Sequence, residues 1–494
     1  MELTFLDWSI VIVYLMLMLL LGYFSSKKNK TAEDYLLGGK SMNPFMIGIS
    51  LFATMFSTLS YLSYPGETIK YGPVFLTGIL AFPVASWIVG RFLIPQFMNM
   101  KVKSAYEILE IKLGSRTRKL AVLFFLSLRF LWMTTIIYAT VDTAFVPIFN
   151  LSRSLVPLIS IILSLLTVVY TTMGGIKAVV KTDVAQSVIM FFGLIVTIIF
   201  ITSKLDSVQS LLDPSIYSHW EPVEFMIDPI KRMTVGNIFI MTLVWQVCTA
   251  GSDQMAIQRY LSTKDVKSAR RSYGVSLWGS SFIQILLVVT GLCVMAYFTL
   301  NPHMLEGGGT IYDKADTLFP MYIRLGLPTG ITGLIAAAIM AAAMSSLSSG
   351  LNSSSAVISE EIVRRKKKKN KDESSDLKFI KKTSVIIGII VALSSFFIPF
   401  ITGNLFDVIQ KVVNLVVAPL FVLFFMALFI PFATDKATSL AGITSLIIAI
   451  LIAFFEIFGI SSLWIMTLSL LGGIIVGTVI SYIDNKRTIK RSDL

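Results

Sequence analysis

What constrains this chain most is the recurrence, along its whole length, of apolar runs of roughly 20 residues, each long enough to cross a bilayer as a helix. Thirteen such segments can be drawn, about 5–24, 44–65, 72–97, 120–147, 154–173, 184–203, 233–251, 273–299, 328–358, 383–402, 405–432, 438–457 and 462–483. The charged fraction is 14%, well under the roughly 25% of a soluble domain. The expected fold class is therefore an all-α polytopic membrane protein with about thirteen transmembrane helices, in one domain over 1–494. No stretch between spans is long enough for a sizeable soluble domain. The first run follows Met1 almost directly and lacks a basic region and a cleavage site, so it reads as a retained span and not a signal peptide.

The net charge of +13 is distributed as a membrane protein would have it. With thirteen spans, the loops on one side carry 32 Lys and Arg residues and those on the other side seven. The positive-inside rule then places the chain in the cell membrane with the N-terminus outside and the C-terminus in the cytoplasm. The run RRKKKKNK, Arg364 to Lys371, reads as a solvated cytoplasmic loop with a modest attraction to anionic lipid, not as a nucleic-acid site. Cys248 and Cys293 both lie in apolar runs, and His219 and His303 are far apart in loops. No disulfide framework, zinc site or nucleophile–base set is visible, so an enzyme is not expected.

Three spans depart from plain apolar sequence. The second, PFMIGISLFATMFSTLSYLSYPGE, has Ala53, Thr54, Ser57, Thr58, Ser60 and Ser63 in its middle. The seventh, IMTLVWQVCTAGSDQ, is interrupted by Gln246, Thr249 and Gly251, which suits a helix that unwinds near the midplane. Two interrupted spans five apart point to an inverted-repeat carrier, with spans 2–6 (44–203) and 7–11 (233–432) as the repeats, one helix before them (5–24) and two after (438–483). In the ninth span, AAAMSSLSSGLNSSS from Ala341 to Ser355 has seven serines in fifteen residues. On a 3.6-residue helix Ala342, Ser345, Ser346 and Ser349 share one face, with Ser348 at its edge. Their neutral, hard oxygens suit a monovalent cation better than a divalent one that needs several carboxylates; close packing through small residues is the other reading. Asp183, in GGIKAVVKTDVAQ, is either the N-cap of the sixth span or the negative charge for a second cation.

With these residues in view, the chain resembles the sodium/solute symporter family over nearly its whole length. The resemblance is carried by DYLLGGKSM (Asp34 to Met42), the polar second span, TMGGIKAVVKTDVAQ (Thr172 to Gln186), GSDQMAIQRYLSTKD (Gly251 to Asp265) and GLIAAAIMAAAMSSLSSGLNS (Gly333 to Ser353). It implies a LeuT-type core of two inverted five-helix repeats and Na⁺-driven import by alternating access. The main Na⁺ site it implies consists of the carbonyls of Ala53 and Phe56 with Ala342, Ser345 and Ser346. A second Na⁺, bound by some members including bacterial sialic acid transporters, would use Asp183, Ser345, Ser348 and Ser349. Solute would meet Ser57 and Ser60, Phe75 and Ile79, the Arg129–Trp132 turn, and Trp245 and Gln246. The arginine that holds the carboxylate in sialic acid members is matched here by Trp132, with Arg129 one turn earlier, and a glutamine of those members is matched by Ile79.

The function expected is a Na⁺-coupled symporter, acting as a monomer, that imports a small organic solute such as a carboxylate or sugar acid. A neutral sugar, amino acid, vitamin or inorganic anion is the alternative within the family, and a membrane solute sensor the alternative outside it. Arg129 either recognises a carboxylate with its planar fork or is a structural arginine paired within the bundle. Lys411 has the same two readings, with Asp407 at i−4 as a neutralising neighbour.

Overall fold

The computed structural model describes residues 4–26, 32–100, 102, 104–205, 214–305, 309–366, 373–396 and 405–492. Most of the basic run at 364–371 and the end of the expected span 383–402 lie outside them. The elements used below are the helices α1 (Phe5–Ser26), α2 (Pro44–Met55), α3 (Thr58–Tyr71), α4 (Ala105–Lys112), α5 (Ser115–Tyr138), α6 (Val156–Ser203), α7 (Val235–Ser252), α8 (Gln254–Leu261), α9 (Val266–Leu300) and α10 (Ile331–Lys366). They are followed by α11 (Glu373–Ser394), α12 (Leu405–Val412), α13 (Asn414–Phe429), α14 (Asp435–Phe455) and α15 (Ile465–Ser492).

Ten helices among the described residues are long and apolar enough to cross a membrane, and α2 with α3 makes an eleventh span if the bent pair is counted as one. The difference from thirteen has two sources. The fifth and sixth expected segments form one helical run, Arg153–Ser203, and the tenth falls on α11, which is not among the ten. Within the long run Gly175 has φ 57°, ψ −156°, a backbone conformation essentially reserved for glycine. A Cβ there would lie 2.5 Å from the Tyr35 carbonyl oxygen, so Gly175 is both the turning point and the only residue type that fits it.

The helix carrying the serines is buried from Ile335 to Val357 on all sides. Alanines at 336–338 and 341–343 make its surface smooth enough for close approach by neighbouring helices. Its N-terminus is capped from α1, where Asp7 Oδ1 accepts the N–H groups of Gly330 and Gly333, both at 2.8 Å. A buried carboxylate on a helix N-terminus satisfies donors that have no partner within the helix. Between spans, caps do the same work at the surface. Asp265 accepts the backbone N–H of Ser268 at 2.7 Å at the start of α9, and that bond holds its carboxyl below the usual range.

The chain divides into two compact units that interleave along the sequence. One comprises Met1–Leu76, Met133–Val223 and Gly274–Val408, the other Thr77–Trp132, Glu224–Tyr273 and Ile409–Leu494.

Candidate functional site

In the first unit, the break between α2 and α3 builds the site. Phe56 (φ −103°, ψ 102°) and Ser57 (φ −107°, ψ 178°) are both extended, and the two half-helices bend by 64°. A helix that stops leaves its last carbonyls without N–H partners. Here α10 supplies them: Ser345 Oγ donates to the Ala53 carbonyl at 3.0 Å and Ser346 Oγ to the Thr54 carbonyl at 3.0 Å. Ser345 Oγ is also 3.1 Å from the Ala342 carbonyl. Four of the five residues expected at the main cation site, Ala53, Ala342, Ser345 and Ser346, are thus drawn together, with Thr54 as an addition. Phe56 ends α2, its ring set edge-on to Tyr64 with centroids 5.6 Å apart.

A second group of oxygens lies on the same side of α2. Ser50 and Thr54 are one turn apart and face inward together. Ser50 Oγ donates to Asp183 Oδ2 at 2.5 Å, and the hydroxyls of Thr54 and Ser349 are 2.8 Å apart. Ser348 Oγ donates to the Ser345 carbonyl at 3.0 Å, and nearby the Tyr170 hydroxyl donates to the Met344 carbonyl at 2.8 Å. Asp183 does not cap a helix. It stands inside α6, fully buried, with the helix running unbroken through Thr182, whose hydroxyl bonds back to Ala178 and Val179. The sixth segment begins just after Gly175, eight residues before the position that its apolar character marks, because Lys177 and Lys181 occupy a different face from buried Val179, Val180 and Asp183.

Of the residues expected to meet solute, Ser57 accepts the N–H of Leu59 at 3.2 Å and so caps α3. Phe75 lies against Tyr64 with ring centroids 4.8 Å apart, and Ser60 is half-buried. The rest belong to the second unit. Ile79, Trp245 and Gln246 are half-buried there, and Gln246 accepts a hydrogen bond from Tyr273 at 3.2 Å. The expected unwinding near Gln246, Thr249 and Gly251 falls elsewhere. Those residues are helical in α7, and the break is at Asp253 (φ −81°, ψ 122°). Its side chain accepts the N–H of Met255 and starts α8, so an N-capping residue decides the position, not the small residues before it.

Arg129 is buried and paired: its Nη2 is 3.0 Å from Asp253 Oδ2, and its guanidinium lies over the Trp132 ring at 4.5 Å. This is the arrangement of the structural alternative. Lys411 reaches Glu456 at 3.6 Å, a partner that the i−4 spacing does not offer. Sequence reasoning passed over Ser50, Thr54 as an acceptor, Tyr170 and Asp253. Ser50, Thr54 and Asp253 stand inside the motifs named above, but which oxygen they would meet has no sequence signal.

Comparison with known proteins agrees with the geometry. The sodium:solute symporter family model matches residues 35–445. The chain is 30% identical over 462 residues to the sodium/sialic acid symporter SiaT of Proteus mirabilis, covering 91% of this chain and 89% of that one. It is 27% identical over 320 residues to human sodium-coupled monocarboxylate transporter 2, covering 64% of this chain and 51% of that one. A solved substrate-bound, outward-open structure of a Na⁺-coupled sialic acid symporter, described with a novel Na⁺ site, superposes with a TM-score of 0.85 at 27% identity, covering 97% and 98% of the two chains. The fold is thus LeuT-like, and a break in two helices, hydroxyls facing orphaned carbonyls and a match over most of the chain lead to one conclusion: this protein belongs to the sodium:solute symporter family.

Proposed function

We propose that the chain imports a small organic solute with Na⁺ as co-transported substrate. The observation that carries this reading is the pair of hydrogen bonds from Ser345 and Ser346 to the carbonyls of Ala53 and Thr54 at a helix break. A helix end that needs only satisfaction could use water or capping side chains. Two hydroxyls whose lone pairs can turn toward the same space as two carbonyls also form a neutral, hard-oxygen cage for a cation that must leave again. Ala53, Phe56, Ala342, Ser345 and Ser346 are assigned to the main Na⁺, and Asp183, Ser345, Ser348 and Ser349 to a second. In support of the second, a buried carboxylate is costly in its charged form unless hydrogen bonds and a cation compensate it.

For the solute, the residues assigned are Ser57, Ser60, Phe75, Ile79, Trp132, Trp245 and Gln246. The relatives named for sialic acid and monocarboxylates make a carboxylate or sugar acid the first class to test. A neutral solute is the second reading, because Asp253 already engages Arg129. We assign the two repeats to 44–203 and 233–432, in line with breaks at Phe56–Ser57 and at Asp253. The N-terminus is placed outside and the monomer is taken as the working unit.

Uptake into proteoliposomes tests the proposal. With an inward Na⁺ gradient, sialic acid, lactate and galactose are offered as labelled probes, and concentrative uptake of at least one is expected, lost when K⁺ replaces Na⁺. Uptake at the same rate in K⁺ would overturn Na⁺ coupling.

A further inference from the structure

The second unit contains a buried charge pair at a place where a carrier helix is broken. Arg129 on α5 and Asp253 between α7 and α8 are both removed from solvent, 3.0 Å apart. Asp253 has three tasks at once. Its backbone N–H ends α7 on the Thr249 carbonyl at 3.1 Å. Its Oδ1 accepts the Met255 N–H at 2.9 Å to start α8. Its Oδ2 forms the ion pair with Arg129, 3.0 Å from Nη2. The guanidinium is enclosed in turn, with Trp132 over its face, Phe125 5.8 Å away and Met255 Sδ 3.3 Å from Nη1.

The surroundings repeat the pattern. Tyr106 of α4 donates its hydroxyl to the Ser252 carbonyl at 3.3 Å, and Gln254 Oε1 accepts the Ala105 N–H at 3.0 Å. Residues 252, 253 and 254 are therefore each tied to α4 or α5 by a different polar contact. A buried ion pair is a poor source of stability, because desolvation cancels most of its attraction. Its best-attested use is to fix a register, since either charge left alone in a low-dielectric interior is strongly unfavourable.

We infer that Arg129 and Asp253 are a positioning pair that pins the α7–α8 break to α5 and so sets the direction of α8, acting on the rate of the transport cycle and not on solute recognition. Trp132, expected beside a solute, then has a further task as the lid over the guanidinium. The effect on transport rests on the reading of the chain as a Na⁺-coupled carrier; the effect on α8 does not.

Three variants test it: Arg129→Met, Asp253→Asn, which keeps the capping oxygen, and the double variant. In nanodiscs, without solute, amide hydrogen exchange of residues 255–261 should accelerate at least ten-fold in each single variant and return to within about three-fold of wild type in the double, with 240–249 unchanged throughout. In proteoliposomes, for whichever of sialic acid, lactate or galactose the wild type takes up, each single variant should lose at least ten-fold in maximal rate with KM within two-fold, and the double should regain most of it. Unchanged exchange at 255–261 in both single variants overturns the pair as a positioning device. A ten-fold rise in KM for Arg129→Met at normal maximal rate, with no recovery in the double, assigns the guanidinium to the solute and overturns the inference as well. Absence of any Na⁺-driven uptake by wild type would count against the carrier reading, and the exchange measurement would still decide the pair.

Discussion

Single oxygens decide the chemistry of this protein. Ser345→Ala removes a donor to the Ala53 carbonyl, and Ser346→Ala removes one to Thr54. Each loses a hydrogen bond that contributes about 0.5–1.5 kcal/mol, too little to unfold the protein, while the small helix face survives. Both variants should need a several-fold higher Na⁺ concentration for half-maximal uptake at near-normal expression. Normal Na⁺ activation in both would return these serines to packing. Ser50→Ala is the matching test for the second group: it removes one hydrogen-bond donor to Asp183, at 2.5 Å, and should weaken Na⁺ dependence as Asp183→Asn does, leaving the melting temperature within a few degrees.

Two devices of different kinds interrupt the helical elements. At Phe56–Ser57 the chain is extended, and the carbonyls it leaves behind become the site. At Gly175 the backbone takes a conformation that only glycine accepts readily, with Tyr35 against it. Gly175→Ala should therefore destabilise by about 1–3 kcal/mol from backbone strain alone, and by more because the new Cβ would meet the Tyr35 carbonyl oxygen at 2.5 Å. Thermal unfolding in detergent measures this. A melting temperature equal to wild type would mean that the turn re-forms another way. Gly274 is the control: a Cβ added there has open space around it, so Gly274→Ala should be tolerated.

At the scale of the molecule, the question is how many charges cross per cycle. Each positive charge moved through the membrane potential gains about 2.3 kcal/mol per 100 mV. With two Na⁺, a monoanionic solute leaves one net charge moving inward and a neutral solute two. We expect reversal potentials in proteoliposomes to give two Na⁺ per solute for wild type and one for Asp183→Asn. A ratio of one in both would remove the second cation from Asp183, Ser348 and Ser349. Orientation is separable from stoichiometry: a cysteine placed at Thr4 in a chain lacking Cys248 and Cys293 should react with an impermeant maleimide added outside cells.

The sequence by itself determined the class, because apolar run length and the imbalance of Lys and Arg need no knowledge of which helices touch. It also marked the two broken spans and the serine-rich helix, since hydroxyls in the middle of an apolar run are costly wherever they end up. It misplaced the second break because an amide, a hydroxyl and a glycine in mid-span, at Gln246, Thr249 and Gly251, suit an unwound helix, while Asp253 acts through a cap that only the folded chain displays. It left Asp183 between two readings because a Thr-Asp pair before an apolar run has the form of a cap. Only tertiary structure could put that carboxylate inside α6 and against Ser50, a residue 133 positions away. The same holds for Arg129, for which residue type and position in the span allow either a solute or an internal partner. A contact between distant segments has no local periodicity or propensity to announce it, so the Asp253 carboxylate became visible as that partner only once the chain had folded.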